Sequence, residues 1–148
     1  MTSKNWTGVE LNLNATVKYG VELIVQAADQ GARLVAFPEV RFPGYPKGVI
    51  DPTSPNVWLA EHVEVYINSS LVVGSSQWEA LVSAAKDNEI YVAVDFSEKT
   101  SSNLFMAQAL IDPNGDVHIH RHKLRLSAPI ARIGILSAAS TPRLKPPG

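Results

Sequence analysis

The sequence predicts an α/β domain with mixed strand directions. Three observations carry that expectation. A helical apolar period stops at a glycine and leads into a short, wholly apolar run; a second helical pattern leads into a second such run; two strand-like segments then flank an Asp-Pro-Asn-Gly-Asp turn. The 148 residues suit one domain and suffice to bury a core. With 45% hydrophobic and 18% charged residues, the composition argues against a wholly disordered, collagen-like or coiled-coil chain.

The elements follow in order. Asn14 is placed to cap a helix running to about Gln30, with Val17, Val21, Ile24, Val25 and Ala28 on its apolar stripe and Gly31 at the left-handed stop. Leu34-Val35-Ala36-Phe37 reads as a strand buried on both faces, ended by Pro38. The segment from Phe42 to Pro46 is a fixed loop, because its prolines and glycine exclude regular structure. Ser54-Pro55 can open a helix reaching about Asn68. Ser76 and Glu79 fit a capping box for a helix with Trp78, Leu81, Val82 and Ala85 on one face. Ile90 to Val94 is the second buried strand. Leu104–Ile111 and Val117–His122 are expected to pair as a hairpin about the turn at residues 112–116. Ile130 to Leu136 could form a short element, but the pattern supplies it no partner.

Charge divides the chain unevenly. Residues 1–116 hold 14 acidic and 7 basic side chains, whereas residues 117–148 hold 6 basic and no acidic ones. Six cations could contact phosphates, but the tail offers no aromatic residue for base stacking, so a nucleic-acid partner is not expected. No segment reaches the ~18 apolar residues of a membrane span. Met1 to Trp6 lacks the basic and then apolar start of a signal peptide, so a cytoplasmic protein is expected and the sequons at Asn5, Asn14 and Asn68 read as chance matches. There is no cysteine, which excludes disulfides, thiolate metal ligands and a cysteine nucleophile within these residues.

Glu39 is the first candidate for chemistry. It lies just past the C-terminal end of the first strand, where open α/β sheets commonly bind ligands. Burial beside the aromatic loop would raise its pKa toward that of a general base; a solvated loop glutamate is the competing reading. Its neighbours add weight. The stretch from Gly31 to Pro46, with Phe37-Pro38-Glu39 and Pro43-Gly44-Tyr45-Pro46, closely resembles the glutamate signature of the nitrilase superfamily of carbon–nitrogen hydrolases. Its ending looks like the nitrilase and cyanide hydratase branch, with Phe42 where that branch more often has an aliphatic residue. Ile111 to Asp116, followed by His120-Arg121-His122-Lys123-Leu124-Arg125, resembles the family's segment in which a hairpin delivers a catalytic lysine, at Lys123. The resemblance covers roughly Gly8 to Leu126.

The resemblance implies the N-terminal portion of a nitrilase-like α-β-β-α sandwich, incomplete, over residues 1–126, followed by a divergent, poorly ordered basic tail at 127–148. It implies hydrolysis of a small nitrile to carboxylic acid and ammonia, or conversion of a nitrile or cyanide to an amide, by a Glu-Lys-Cys triad without cofactor or metal. Glu39 would be the general base and Lys123 would stabilise the tetrahedral intermediate. The chain departs from the pattern in several places: the opening strand is unrecognisable in Met1 to Gly8, Leu126 replaces an expected proline, Pro129 to Arg132 occupies the place of a further glutamate, and the cysteine segment is missing. The expectation is therefore a frame truncated after the lysine motif and inactive alone. The alternative is a non-catalytic assembly partner of nitrilase-like subunits, in a homo- or hetero-oligomer. A zinc site on His118, His120 and His122 is a formal competitor. Alternate strand residues sit roughly 6–7 Å apart, three in sequence spread too widely for one ion, the motif holds no carboxylate, and the parity of Val117, Ile119 and Lys123 turns the histidines outward.

Overall fold

The computed structural model describes residues 12–45 and 64–123, together with the backbone of residues 135–136. Helix α1 spans Leu13–Asp29, strand β1 Leu34–Ala36, helix α2 Ser76–Asp87, β2 Tyr91–Lys99, β3 Leu104–Ile111, β4 Val117–His122 and β5 Ile135–Leu136. The sheet runs β1-β2-β3-β4. The β1–β2 pair is parallel, whereas β2–β3 and β3–β4 are antiparallel. β5 lies parallel to the start of β3 at Leu104 and Phe105, which supplies the partner that the sequence pattern did not reveal. The α/β class and the hairpin boundaries agree with the sequence reading.

The N-caps of α1 and α2 differ from the expected residues. Asn12, not Asn14, caps α1, its side chain accepting from the Ala15 amide at 3.0 Å. Asn14 instead accepts from the Gln77 side chain at 2.7 Å and ties α1 to α2. Ser75, not Ser76, caps α2 through the Trp78 amide, so the expected Ser76–Glu79 box is not the cap. Serines at both positions make the sequence degenerate there, and the backbone settles it: Ser75 is extended and Ser76 is already helical. The C-terminus of α1 follows expectation. Gly31 has φ of 82°, and the Gly31 and Ala32 amides donate to the Ala28 and Ala27 carbonyls in a Schellman arrangement. The Ser54-Pro55 helix start lies outside the described residues; residues 64–68 are helical, consistent with an end near Asn68.

Both helices pack on one face of the sheet. Val17 and Ile24 of α1 and Trp78, Leu81, Ala84 and Ala85 of α2 meet Val92, Val94 and Phe96 of β2 and Ala107, Ala109 and Ile111 of β3. The buried line of α1 is Val17, Gly20 and Ile24, and Val25 is exposed. Gly20 is where α1 clears the Phe42 ring: a Cβ there would sit 2.9 Å from two ring carbons. β1 corrects another expectation. Among the described residues it is an edge strand, with Leu34 55% exposed and Ala36 exposed, so it does not meet the expectation of burial on both faces. The opposite face, which carries Asp95 and Ser97, leaves Ile119 45% exposed.

The hairpin turn is built by Asp112. Its backbone amide donates to the Asp116 carbonyl, Gly115 turns with φ of 87°, and its carboxylate accepts the Asn114 and Asp116 amides. A register shift lies between Leu110 and Ile111, just before the turn. The His118 ring beside it is the main reason the Asp112 carboxyl is held down at about 2.

Two outcomes follow from this packing. Gly20→Ala gains about 1 kcal/mol of helix propensity but forces the Phe42 contact, which costs about 1–3 kcal/mol, so urea unfolding shows a net loss. Combining it with Phe42→Leu costs less than the two single losses added together, because the clash is shared. For Asp112, a depressed carboxyl contributes stability that is fully present above its ordinary value of 3.8 and is lost as the pH falls through about 2. The stability gap between wild type and Asp112→Asn, read from urea midpoints, is therefore full above pH ~4 and closes toward pH ~2.

Candidate active site

The placement of Glu39 begins with an interruption in the strand. The Phe37 amide still pairs with the Ala93 carbonyl of β2, and the Phe42 carbonyl next accepts from the Ser97 amide. Between those points residues 38–41 leave the sheet edge in a turn closed by the Arg41 amide and the Pro38 carbonyl. Val40 adopts φ of 50°, a left-handed conformation that costs a β-branched residue, and its side chain is 1% exposed. The Val40 amide donates to a carboxylate oxygen of buried Asp95 at 2.7 Å, filling the gap that the excursion leaves beside β2. Glu39, at the tip, points to the open face.

The lysine comes from the other side of the sheet. Its amide donates to the Met106 carbonyl at 2.8 Å, continuing the β3–β4 ladder one residue beyond His122. Its ammonium forms an ion pair with a Glu39 carboxylate oxygen, joining residues 84 apart in sequence. The two side chains are 44% and 37% exposed, which corrects the expectation of a desolvated glutamate. A pair this open contributes about 1 kcal/mol or less; its geometry is held by the backbones that carry it.

Beneath the pair runs a row of polar side chains at matched register, Asp95 on β2, Gln108 on β3 and Arg121 on β4. The second Asp95 oxygen accepts from the Gln108 amide nitrogen at 2.7 Å. The Gln108 oxygen accepts from Arg121 Nε and Nη2 at 2.9 and 2.7 Å. These residues, with Met106, His122, Glu39 and Lys123, line a cavity of about 420 Å³. It presents a carboxylate and an ammonium side by side, able to take up a proton and to neutralise developing negative charge.

Residues 3–138 match the carbon-nitrogen hydrolase family. The chain belongs to the carbon-nitrogen hydrolases. It is 41% identical over 121 residues to an arylacetonitrilase of Macrophomina phaseolina and 37% identical over 114 residues to a cyanide hydratase of Neurospora crassa. These alignments cover 78% and 77% of this chain but 33% and 32% of those proteins, so the chain spans about a third of the length of the relatives it matches. In fold it is similar to an amidase from Nesterenkonia sp., with TM-score 0.60, 18% identity and coverage of 86% of this chain and 43% of that one. It is also similar to the NitFhit protein of C. elegans, with TM-score 0.58, 17% identity and coverage of 91% and 28%.

Within this carbon-nitrogen hydrolase chain, the residues that sequence reasoning missed are Asp95 and Gln108. Gln108 is the lone polar residue of an apolar strand, and that was the available signal; Asp95 follows directly on the apolar run Ile90 to Val94, and ending the second strand at Val94 hid it. The histidines also need correcting. His120 and His122 share register with Ala109 and Ala107, hence with the face that packs on the helices. They do not turn outward, and a carboxylate does reach them: buried Glu98 of β2 accepts from both rings. His118 pairs with Asp112 instead. Among the described residues no helix is long and apolar enough to cross a membrane.

Removing the Asp95 carboxylate leaves the Val40 amide and the Gln108 side chain without their partner. Asp95→Ala is expected to cost about 2–3 kcal/mol in urea unfolding. Glu39→Ala, which removes only the exposed pair, should cost less than about 1 kcal/mol in the same experiment.

Proposed function

We propose that this chain carries two of the three groups of a nitrilase-type catalytic centre, Glu39 as general base and Lys123 as the cation for the tetrahedral intermediate. The observation behind the proposal is the Glu39–Lys123 pair over the cavity floored by Asp95, Gln108 and Arg121. In the proposed mechanism a thiol loses its proton to the Glu39 carboxylate as sulfur attacks the nitrile or amide carbon. The Lys123 ammonium offsets the charge that develops on the substrate heteroatom. With a nitrile the sulfur adds to give a thioimidate, and water adds to its carbon to give a tetrahedral adduct. Loss of ammonia from that adduct leaves a thioester that a second water opens to the acid and free thiol, whereas expulsion of the thiol gives the amide. The activities for which the relatives are named, arylacetonitrilase and cyanide hydratase, support small nitriles or cyanide as the substrate class.

The 148 residues contain no cysteine, so they supply no thiol for this step. Losing a triad nucleophile commonly costs several orders of magnitude in rate. The chain alone is therefore expected to release no ammonia above background from phenylacetonitrile or cyanide. Robust ammonia release that disappears in Glu39→Gln would overturn this reading.

A second reading is a non-catalytic assembly partner of nitrilase-like subunits. It is favoured by the apolar residues left exposed on the sheet, Leu34, Tyr91, Val117 and Ile119. Co-elution with a full-length arylacetonitrilase supports it, and a chain that stays monomeric in that mixture counts against it.

A further inference from the structure

The proposed nitrile chemistry makes no use of the cluster on the helix-packed face. Glu98 of β2 is buried, and a single carboxylate oxygen lies 2.7 Å from His120 Nε2 and 2.8 Å from His122 Nε2. The three donor atoms all lie within 4.8 Å of one another. Two strands contribute, and the strand between them leaves room: Ala107 of β3 pairs with both Phe96 and His122, so its methyl occupies the position over which the glutamate reaches.

The rings are aimed before any ligand arrives. His120 stacks on Phe96 with an interplanar angle of 12°, and His122 stacks on Phe105 at 2° with ring centroids 4.0 Å apart. The two imidazoles meet edge to face at 86°, so that both Nε2 atoms converge on the same carboxylate oxygen. Stacking on buried aromatics restricts the ring rotations that a metal site otherwise has to freeze on binding.

We propose that Glu98, His120 and His122 bind a divalent transition-metal ion of the zinc class. Two imidazoles and one carboxylate are a donor set that suits Zn²⁺ and its late first-row neighbours, and one that the hard ions Mg²⁺ and Ca²⁺ do not prefer. Tetrahedral bonds of about 2.0–2.2 Å place donors about 3.3 Å apart. The two nitrogen–oxygen separations therefore open by roughly half an ångström as the ion takes the place of the two Nε2 protons, each neutral imidazole then carrying its proton on Nδ1. His120 and His122 keep side-chain exposures of 36% and 25%, which leaves a fourth position open to water. Such an ion ties β2 to β4 across β3 and fixes the end of the strand that carries Lys123.

The test uses the untagged full chain, stripped with a chelator and titrated with Zn²⁺ against a chromophoric competitor. About one equivalent is expected to bind, with a rise in melting temperature. The double variant His120→Gln/His122→Gln should weaken binding at least tenfold, whereas His118→Gln, whose ring serves Asp112, should leave it unchanged. Circular dichroism of the metal-free variants separates lost ligands from lost fold. X-ray absorption on the wild-type chain, which needs no variant, should show two imidazoles and one oxygen at zinc distances. Uptake below about a tenth of an equivalent, an affinity shared by the double variant, or a spectrum without imidazole scattering would leave the cluster as hydrogen bonds only and overturn the proposal.

Discussion

The Asp95 carboxylate stands between a backbone that has left the sheet and a side-chain row that crosses it. One oxygen receives the Val40 amide and the other receives Gln108, which in turn receives Arg121. The amide it accepts belongs to a valine in a left-handed conformation, between the two points where the chain pairs with β2. A buried amide without an acceptor would favour relaxing the turn back toward the sheet edge. Glu39 projects from the tip of the turn only because the excursion is held. The exposed Glu39–Lys123 pair is thus a consequence of a buried interaction one residue away and adds little to holding it.

Apolar stiffness and polar placement divide the work in the rest of the molecule. Phe37, Phe42, Trp78 and Phe96 fill the layer between helices and sheet, with Phe37 and Phe42 edge to face at 5.1 Å. Phe42 therefore closes the excursion from the far side, returning to β2 while its ring lies against Gly20. Loop and core are fixed by the same residue.

Much of this was legible from residue order. Gly31 marked the end of α1, the turn residues 112–116 set the hairpin, and the two motifs named Glu39 and Lys123 before their contact could be known. What remained hidden depends on pairings that one-dimensional patterns do not carry. Asn14 and Asn12 are equally good caps on paper, and the choice turns on Gln77 of another helix. Glu98 and the two histidines lie in different strands, so their meeting requires the registers of both β2–β3 and β3–β4. The parity argument put Lys123 on the apolar inward side; the helices lie on the other face, against the histidines. The exposure of β1 was equally invisible, since an apolar run says that cover is wanted but not that these residues supply it.

Strand β4 serves two masters by alternation. Arg121 and Lys123 go to one side of the sheet, and His120 and His122 to the other, in four consecutive positions. The register shift between Leu110 and Ile111 and the five-residue turn after it decide which set goes where. The hairpin thereby acts as a counter modulo two: a single residue gained or lost in the turn would exchange the contents of both faces at once, sending the lysine among the phenylalanines and the imidazoles to the cavity. Length drift at this turn is constrained from two directions by chemistry that never touches it.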